Sequence, residues 1–322
     1  MSTNSIYNNS HFLWVEKYRP KTIEDTILPL ELKNTFKQFV DQNNIPNLIL
    51  AGTSGIGKTT VARAMLEELN CDYIIINGSM NGNIDTLRNQ ILNFASTVSL
   101  AGGRKYVILD EADYINPNST QPALRNFMEE FSNNCGFILT CNYKGKVIPA
   151  LHSRCSVIDF IVPKSDMAKL AAQFFKRIMS ILSKEGVTFD KAVVAEVINK
   201  FYPDFRRTIN ELQTYATRGS GVIDSGCLST LKDISIKELV GFIEKKNYTA
   251  IRTWVGENSD FDQNTLFRKL YDSAADFVKK DSIPVLVMIL AKYQYQGAFA
   301  VDTEINIMAC LTEMMIELEF SQ

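Results

Sequence analysis

Net charge of either sign, histidine, paired cysteines and long apolar runs are all scarce in this 322-residue chain. Lysine and arginine number 34 against 36 aspartate and glutamate, a formal net charge of −2. A chain coated in positive charge for blanket nucleic-acid binding is thereby excluded. Any such contact must come from a local basic surface or from several subunits pooling theirs. With 2 histidines there is little from which to build a His-based metal centre. The six cysteines (Cys71, Cys135, Cys141, Cys155, Cys227 and Cys310) form no CxxC pair for zinc or redox chemistry. They are expected to be reduced, mostly buried thiols of a cytosolic protein. The longest apolar stretches, such as Val285–Ala291, fall far short of the roughly 18 residues a membrane span needs. The polar start MSTNSIYNNS has neither the charge nor the apolar centre of a signal peptide. The expectation is a soluble intracellular protein with no membrane partner.

What is present is close to the globular average, 46% hydrophobic and 22% charged, enough to bury a core. The length suggests two or three domains. Between Asn47 and Phe160, short apolar runs alternate with helical patterns: Leu48–Ala51, Tyr73–Asn77, Tyr106–Asp110, Gly136–Thr140 and Val157–Phe160. Continuous apolar runs suit strands covered on both faces, and strands alternating with helices predict a parallel α/β sheet. After Phe160 the strand signals stop. Ser165 or Asp166 can cap a helix running towards Gly186, Asp190 one running to about Phe201, and a third begins near Asp204 and stops at Gly219. Gly219-Ser220-Gly221 and Asp224-Ser225-Gly226 read as a linker, followed by about five amphipathic helices ending in an Ile305–Phe320 pattern. The division expected is an α/β domain over 1–161, a small helical domain over 162–224 and a helical domain over 225–322.

Gly52-Thr53-Ser54-Gly55-Ile56-Gly57-Lys58-Thr59 matches GxxxxGK[ST] between a strand and a helix. Its glycines let backbone N–H groups turn inward around phosphate, and the helix N-terminus adds positive partial charge. Lys58 is expected on the β/γ-phosphates and the Thr59 hydroxyl on Mg²⁺. The apolar run Tyr106–Leu109 ends in Asp110 and Glu111. Acids are common where strands end, but after a P-loop Asp110 is placed to hold Mg²⁺. Glu111 is placed to orient or deprotonate the attacking water. That adjacent glutamate favours hydrolysis over phosphoryl transfer to a metabolite. Asn142 ends the next strand and either contacts the γ-phosphate or water, or simply closes the strand. Arg154 precedes the last strand, remote from its own P-loop and suited to a neighbouring subunit's site. Arg206, at the start of the third small-domain helix, can reach phosphate.

Taken together these residues resemble an AAA+ ATPase, specifically a sliding-clamp-loader subunit. The motifs are Trp14-Val15-Glu16-Lys17-Tyr18-Arg19-Pro20, Asn77-Gly78-Ser79, Ile84-Asp85-Thr86-Leu87-Arg88-Asn89, Gln121-Pro122-Ala123-Leu124-Arg125 with Met128-Glu129, Ser153-Arg154-Cys155, and Pro203-Asp204-Phe205-Arg206. The likeness runs from about Trp14 to Tyr215. Ile27-Leu28-Pro29, Phe94-Ala95-Ser96 and Phe127-Met128-Glu129 through Cys135 resemble the large subunit of T-even-type bacteriophages, with replication factor C small subunits next. Departures are Asn126 for a second arginine, His152 for the usual glutamine, and Asn83 where a basic residue would face DNA.

The resemblance implies a sheet of order 5-1-4-3-2, a helical lid and an all-α C-terminal collar. It implies ATP and Mg²⁺ held by Gly55, Ile56, Gly57, Lys58, Thr59, Thr60 and Asp110, with Val15, Glu16, Lys17, Tyr18 and Ile27 around the adenine. Arg206 closes the lid, and Arg154 acts in trans. Arg88 and Lys146 are the candidate DNA contacts, and the Met80–Asn83 loop a clamp contact. The implied activity is ATP-driven opening and loading of a ring-shaped DNA polymerase clamp onto primer–template DNA during replication. Other AAA+ DNA remodellers (a helicase loader, a branch-migration motor) and a non-hydrolysing scaffold are the alternatives. The implied assembly is a homotetramer joined by one different small subunit, in the cytoplasm of a phage-infected bacterium.

Overall fold

The computed structural model describes residues 12–79, 84–99, 102–218, 222–224, 226, 236–258 and 263–320. The Met80–Asn83 loop, Gly219-Ser220-Gly221, Ser225 and Cys227 lie outside the described residues. The chain forms two compact units, Met1–Thr230 and Leu231–Gln322.

In the first unit, five strands form one parallel sheet: β1 (Leu48–Ala51), β2 (Tyr73–Asn77), β3 (Lys105–Asp110), β4 (Cys135–Cys141) and β5 (Ser156–Asp159). Their order is β2-β3-β4-β1-β5, the expected order read from the other edge. The register is regular, with Leu48 beside Ile138 and Ser156, and Leu109 beside Leu139. Side chains alternate between faces, as the two-residue repeat of a strand requires. Leu48, Leu50, Tyr106, Ile108 and Ile138 join one core with Phe36 of α2 (Leu30–Asp41) and Val61 and Met65 of α3 (Lys58–Glu68). Ile49, Val107, Leu109, Phe137 and Leu139 join the other, under Ile91 of α4 (Ile84–Ala95) and Leu124 of α5 (Thr120–Glu130). Each fully buried Leu, Ile or Phe contributes about 1.5–3 kcal/mol by leaving water.

Coverage on both faces holds for the three central strands only. The edge strands carry exposed apolar residues, Ile75 on β2 and Val157 on β5, because nothing in the described residues packs beyond them. Short helices α1 (Trp14–Lys17) and α6 (Pro149–His152) complete this layer.

The small helical domain comprises α7 (Lys164–Lys184), α8 (Lys191–Phe201) and α9 (Phe205–Arg218). Asp190 caps α8 as expected, its carboxylate accepting from Ala192 N–H. Neither Ser165 nor Asp166 caps α7. Pro163 stands at its N-cap with extended backbone, leaving Asp166 inside the first turn, where its charge still favours the helix N-terminus. Strand signals do not quite stop at Phe160. β6 (Thr188–Phe189) and β7 (Val222–Ile223) pair in parallel, each too short to show a periodicity. Phe205 stacks against Phe174 at 4.6 Å between ring centres, joining α9 to α7.

The second unit is helical: α10 (Ile236–Glu244), α11 (Tyr248–Glu257), α12 (Gln263–Asp272), the single turn α13 (Ala274–Phe277), α14 (Ile283–Gly297) and α15 (Thr303–Glu317). Leu239, Ile251, Trp254, Leu270, Leu286, Leu311 and Met314 share its core. A buried polar junction crosslinks three of these helices. Asn306 donates to the Gln263 side-chain carbonyl at 3.1 Å, and both amides donate to the Tyr293 carbonyl at 3.0 and 3.1 Å.

Candidate functional site

The P-loop lies between β1 and α3, where the sheet's C-terminal edge meets a helix N-terminus. Gly55 has φ +73° and Gly57 has φ +101°, backbone that L side chains rarely adopt. At Gly55 a Cβ would also fall 1.8 Å from Asp204 Oδ1, so the small domain closes directly on this turn. The Phe205 N–H donates to the Gly55 carbonyl at 3.2 Å, a second tie at the same point.

Lys58 is buried, and its ammonium spends all three donors locally, on Gly52 O and Thr53 O at 2.8 Å and on Asn142 Oδ1 at 2.9 Å. Burial lowers the Lys58 amine below the usual lysine range, opposed in part by nearby acids, Asp110 among them. The β4 strand lies between β1 and β3, which brings Asn142 beside Lys58 as expected. Thr59 Oγ1 donates to Asp110 Oδ1 at 2.7 Å. A hydroxyl and a carboxylate side by side next to a phosphate cradle are the hard oxygen donors Mg²⁺ favours, together with the ligand's own oxygens. The donor set therefore fits the metal. Ser54, Gly55, Gly57, Lys58, Thr59, Thr60, Asp110, Glu111, Asn142 and Arg206 all border one polar hollow.

Three residues that position this site were not singled out by motif. Thr140, 1% exposed, donates its hydroxyl to Asp110 Oδ1 and accepts the Glu111 N–H at 3.2 Å. Glu111 sits at φ 57° and ψ 45°, left-handed backbone costly for a residue with a Cβ. Thr140 thus anchors both acids, one of them in a strained conformation. Buried Asp113 accepts from Asn142 N–H and Tyr143 N–H, both at 3.2 Å, shaping the turn after β4. Gln121, which the sequence offered only as part of a family motif, is 1% exposed. It donates to the carbonyls of Ile115 and Lys146 and accepts from Ile148 N–H, joining the segments after β3 and β4.

Beside the phosphate hollow lies a second, mainly apolar one of about 710 Å³ including its open mouth. Val15, Tyr18 and Ile27 line it, with Ile56, Thr60 and Arg206 on the P-loop side. Glu16 and Lys17 do not line it. On the one-turn α1 their side chains point to other partners. Glu16 pairs with Arg19 and lies 3.8 Å from Arg63, while Lys17 reaches Glu185 at 2.7 Å.

Arg154 borders neither hollow. Its guanidinium pairs with Glu129, with Nε at 2.8 Å, and donates to Ala150 O at 2.9 Å. The neighbouring Arg154 holds the Glu129 carboxyl below its usual range. His152 Nε2 lies 3.0 Å from the Lys144 carbonyl, in keeping with a packing role. Lys146 is exposed, its ammonium 5.5 Å from the Tyr114 ring centre and 5.2 Å from that of Tyr143, next to the Asn142 turn. Arg88 is exposed on α4 and borders neither hollow. Of the described cysteines, Cys135 and Cys141 are pushed up to about 11 and Cys155 to about 12 by burial, so these thiols stay protonated. Among the described residues no three His, Cys, Asp or Glu cluster as a metal site, and no helix is long and apolar enough to cross a membrane.

Comparison with known proteins agrees with this geometry. Residues 48–162 match the ATPase family associated with various cellular activities, and residues 166–229 the AAA+ ATPase lid domain of sliding-clamp-loader large subunits. The chain is 33% identical over 318 residues to the sliding-clamp-loader large subunit of Enterobacteria phage T4, covering 97% of this chain and 98% of the relative. It is 36% identical over 251 residues to the replication factor C small subunit of Archaeoglobus fulgidus, covering 74% and 76%. A solved variant of Thermotoga maritima RuvB superposes with TM-score 0.54 at 17% identity, over 74% of this chain and 86% of the other, a likeness of fold alone. The phosphate hollow on a five-stranded P-loop sheet and an end-to-end relative make the chain a nucleotide-binding ATPase. It belongs to the sliding-clamp-loader large-subunit family of AAA+ ATPases.

Proposed function

We propose that this chain opens a ring-shaped sliding clamp on binding ATP, sets it on primer–template DNA, and lets go on hydrolysis. The observation that carries this is a division of labour. Lys58, Thr59, Asp110, Glu111 and Asn142 converge on one hollow, while Arg154 stands outside it on Glu129. A site whose own chain supplies every group but a finger arginine from the core, on a chain that presents Arg154 elsewhere, suits copies that complete one another. We assign four copies and one different small subunit to a ring or spiral, with the 225–322 domain as collar, 162–224 as lid and 1–161 as the ATPase core. The family relationship supports work in the cytoplasm of a phage-infected bacterium.

In this reading, P-loop N–H groups hold the β- and γ-phosphates, and Lys58 exchanges its contacts with Gly52 O, Thr53 O and Asn142 for phosphate oxygens. Thr59 and Asp110 would hold Mg²⁺, which neutralises charge on the phosphates when bound. Glu111 orients the attacking water and draws its proton, Asn142 steadies the γ-phosphate, and Arg206 closes on the nucleotide from the lid. Arg154 of the adjacent copy stabilises the charge that develops in the transition state, worth roughly 10³–10⁵ in rate for such a finger. Arg88 and Lys146 meet DNA phosphates, and several copies aiming a few charges at one channel offset a subunit charge of −2.

ATPase assayed with and without clamp and primer–template DNA, across salt, tests this. Turnover is expected to rise well above basal and the stimulation to fade steeply with salt. No stimulation would sink the loader function, and ATP-driven travel along DNA without a clamp would favour a branch-migration motor. Arg154→Ala should keep ATP binding and lose turnover; equal loss of both would count against action in trans.

A further inference from the structure

The wall of the apolar hollow is held from the lid. Trp14 N–H donates to Gln213 Oε1 at 2.9 Å, and Gln213 Nε2 donates to Phe12 O at 2.6 Å, both from α9. At the end of α7, Glu185 accepts from Lys17 Nζ at 2.7 Å and from the Tyr18 hydroxyl. The core holds the segment too: Arg19 lies 3.4 Å from Thr60 Oγ1, Glu68 of α3 accepts the Ile23 N–H at 2.8 Å, and Ile23 and Leu28 are buried against α2 and α3.

Arg177 occupies the centre of this arrangement. It is half-buried on α7, lines the hollow, and has two forks of its guanidinium on two backbone carbonyls. Nη2 donates to Tyr18 O at 3.2 Å and Nη1 donates to Asp25 O. Those carbonyls stand at the two ends of the turn whose middle, Ile23, is fastened to the core by Glu68. One planar group on the lid therefore fixes the spacing of the turn from which Tyr18 and Thr26–Leu28 face the hollow. A lysine has one ammonium and cannot span both acceptors in the same plane. Nucleobases present flat faces and short donor–acceptor edges, so a wall that reads them needs its spacing held to within about 0.5 Å.

Resting on the assignment of this hollow to the base of ATP, we infer that Arg177 is the positioning residue for nucleobase selection. It makes the wall and the lid move as one body, so that a bound base sets the lid. Linkage then requires the converse, that a lid held open weakens base binding by the same factor.

Dissociation constants for ATP, ADP, GTP and inorganic triphosphate, measured by calorimetry on the full chain, test this in wild type, Arg177→Lys and Arg177→Met. Leaving two acceptors unpaired is expected to weaken ATP and ADP by the same factor, roughly 10–100-fold. The preference for ATP over GTP should collapse towards one, and inorganic triphosphate should bind unchanged. Arg177→Lys keeps the charge and packing, so it reports even if Arg177→Met unfolds. Loss of triphosphate binding alongside ATP, with ADP hurt less, would make Arg177 a phosphate-facing charge and overturn the inference. A fall in thermal midpoint with the ATP:GTP ratio intact would overturn it as well, leaving a brace between lid and core. If wild type itself binds ATP no more tightly than GTP or inorganic triphosphate, the base assignment fails, and the inference with it.

Discussion

Replacing Thr140 by valine deletes one hydroxyl from the centre of the ATP site while keeping the shape of the side chain. The hydroxyl has two partners, the Asp110 carboxylate and the Glu111 N–H, and is 1% exposed. Valine leaves that N–H without an acceptor, at a cost of about 1–3 kcal/mol. Asp110 Oδ1 keeps Thr59 as a donor, so the carboxylate itself is not orphaned. The larger effect falls on Glu111, held at φ 57°. Left-handed backbone costs such a residue roughly 1–2 kcal/mol, and without its anchor the turn relaxes to remove that strain. If the working orientation then becomes less populated by about 1.4–2.7 kcal/mol, kcat falls roughly 10–100-fold. KM should change little, because Lys58 and the P-loop N–H groups are untouched. Urea unfolding supplies the stability change and steady-state phosphate release the turnover. Thr140→Ser restores the hydroxyl and should restore most of the rate. Valine turnover within twofold of wild type, or serine no better than valine, would refute the anchoring of Glu111.

Three further outcomes follow from the same geometry. Gly55→Ala places a methyl on backbone at φ +73° and 1.8 Å from Asp204 Oδ1, so Asp204 must swing off the Arg207 N–H it accepts or the lid must back away. ATP affinity should drop at least tenfold by calorimetry while the thermal midpoint moves only a few degrees. Asp113→Ala strips the acceptor from the Asn142 and Tyr143 N–H groups. It should lower kcat more than it raises KM, and Asp113→Asn, which keeps an oxygen there, should recover part of the loss. Burial lowers the Lys58 amine in the free protein, and the negative charge of a bound triphosphate is expected to raise it again. Ionised Lys58 is thus a burden on the free fold that lightens as pH rises through its depressed pKa towards 10.5. ATP binding should in the same window take up a proton and weaken with rising pH. Calorimetry in buffers of different ionisation enthalpy detects that proton, and none is expected in Lys58→Met.

The strands of the sheet were legible because each is an apolar run that ends in a chemically distinctive group. Leu48–Ala51 runs into the P-loop, Lys105–Asp110 into two acids, and Cys135–Cys141 into Asn142. Covered strands leave continuous apolar runs and their helices a repeat of 3.6 residues, and such patterns are what a sequence displays. The order of the strands was not readable from periodicity and came with the resemblance. What a pattern cannot carry is an element below its own length, hence the loss of Thr188–Phe189 and Val222–Ile223. Nor does it say which strands are edges: Val157 is as apolar as Val107, yet 39% exposed against 0%. The α7 start was missed for a different reason. Ser165 and Asp166 are good caps by residue type, but Pro163 with fixed φ had already set the turn.

At the site, a motif names the group that touches the ligand, and leaves unnamed the group that aims it. Lys58, Asp110, Glu111 and Asn142 are each marked by a local pattern, because their chemistry needs that residue at that spacing. Thr140, Asp113, Gln121 and Arg177 act through hydrogen bonds to partners 25 to 159 residues away, apart from the Gln121 bond to the Ile115 carbonyl, and most of those partners are backbone. Backbone acceptors carry no signature, so no local pattern could single out the side chain that reaches them. A buried polar residue with no place in a motif is the one signal available, and Thr140 fits it, whereas Gln121 stood inside a family motif that did not say what it holds. Glu16 and Lys17 illustrate the same logic. They sit inside the most recognisable N-terminal motif, and their charges hold that segment in place, against Arg19 and Glu185, while its apolar members Val15 and Tyr18 face the hollow. Membership of a motif therefore marks a segment as needed without saying which of its side chains meets the ligand, and on a one-turn helix neighbours must point to different places.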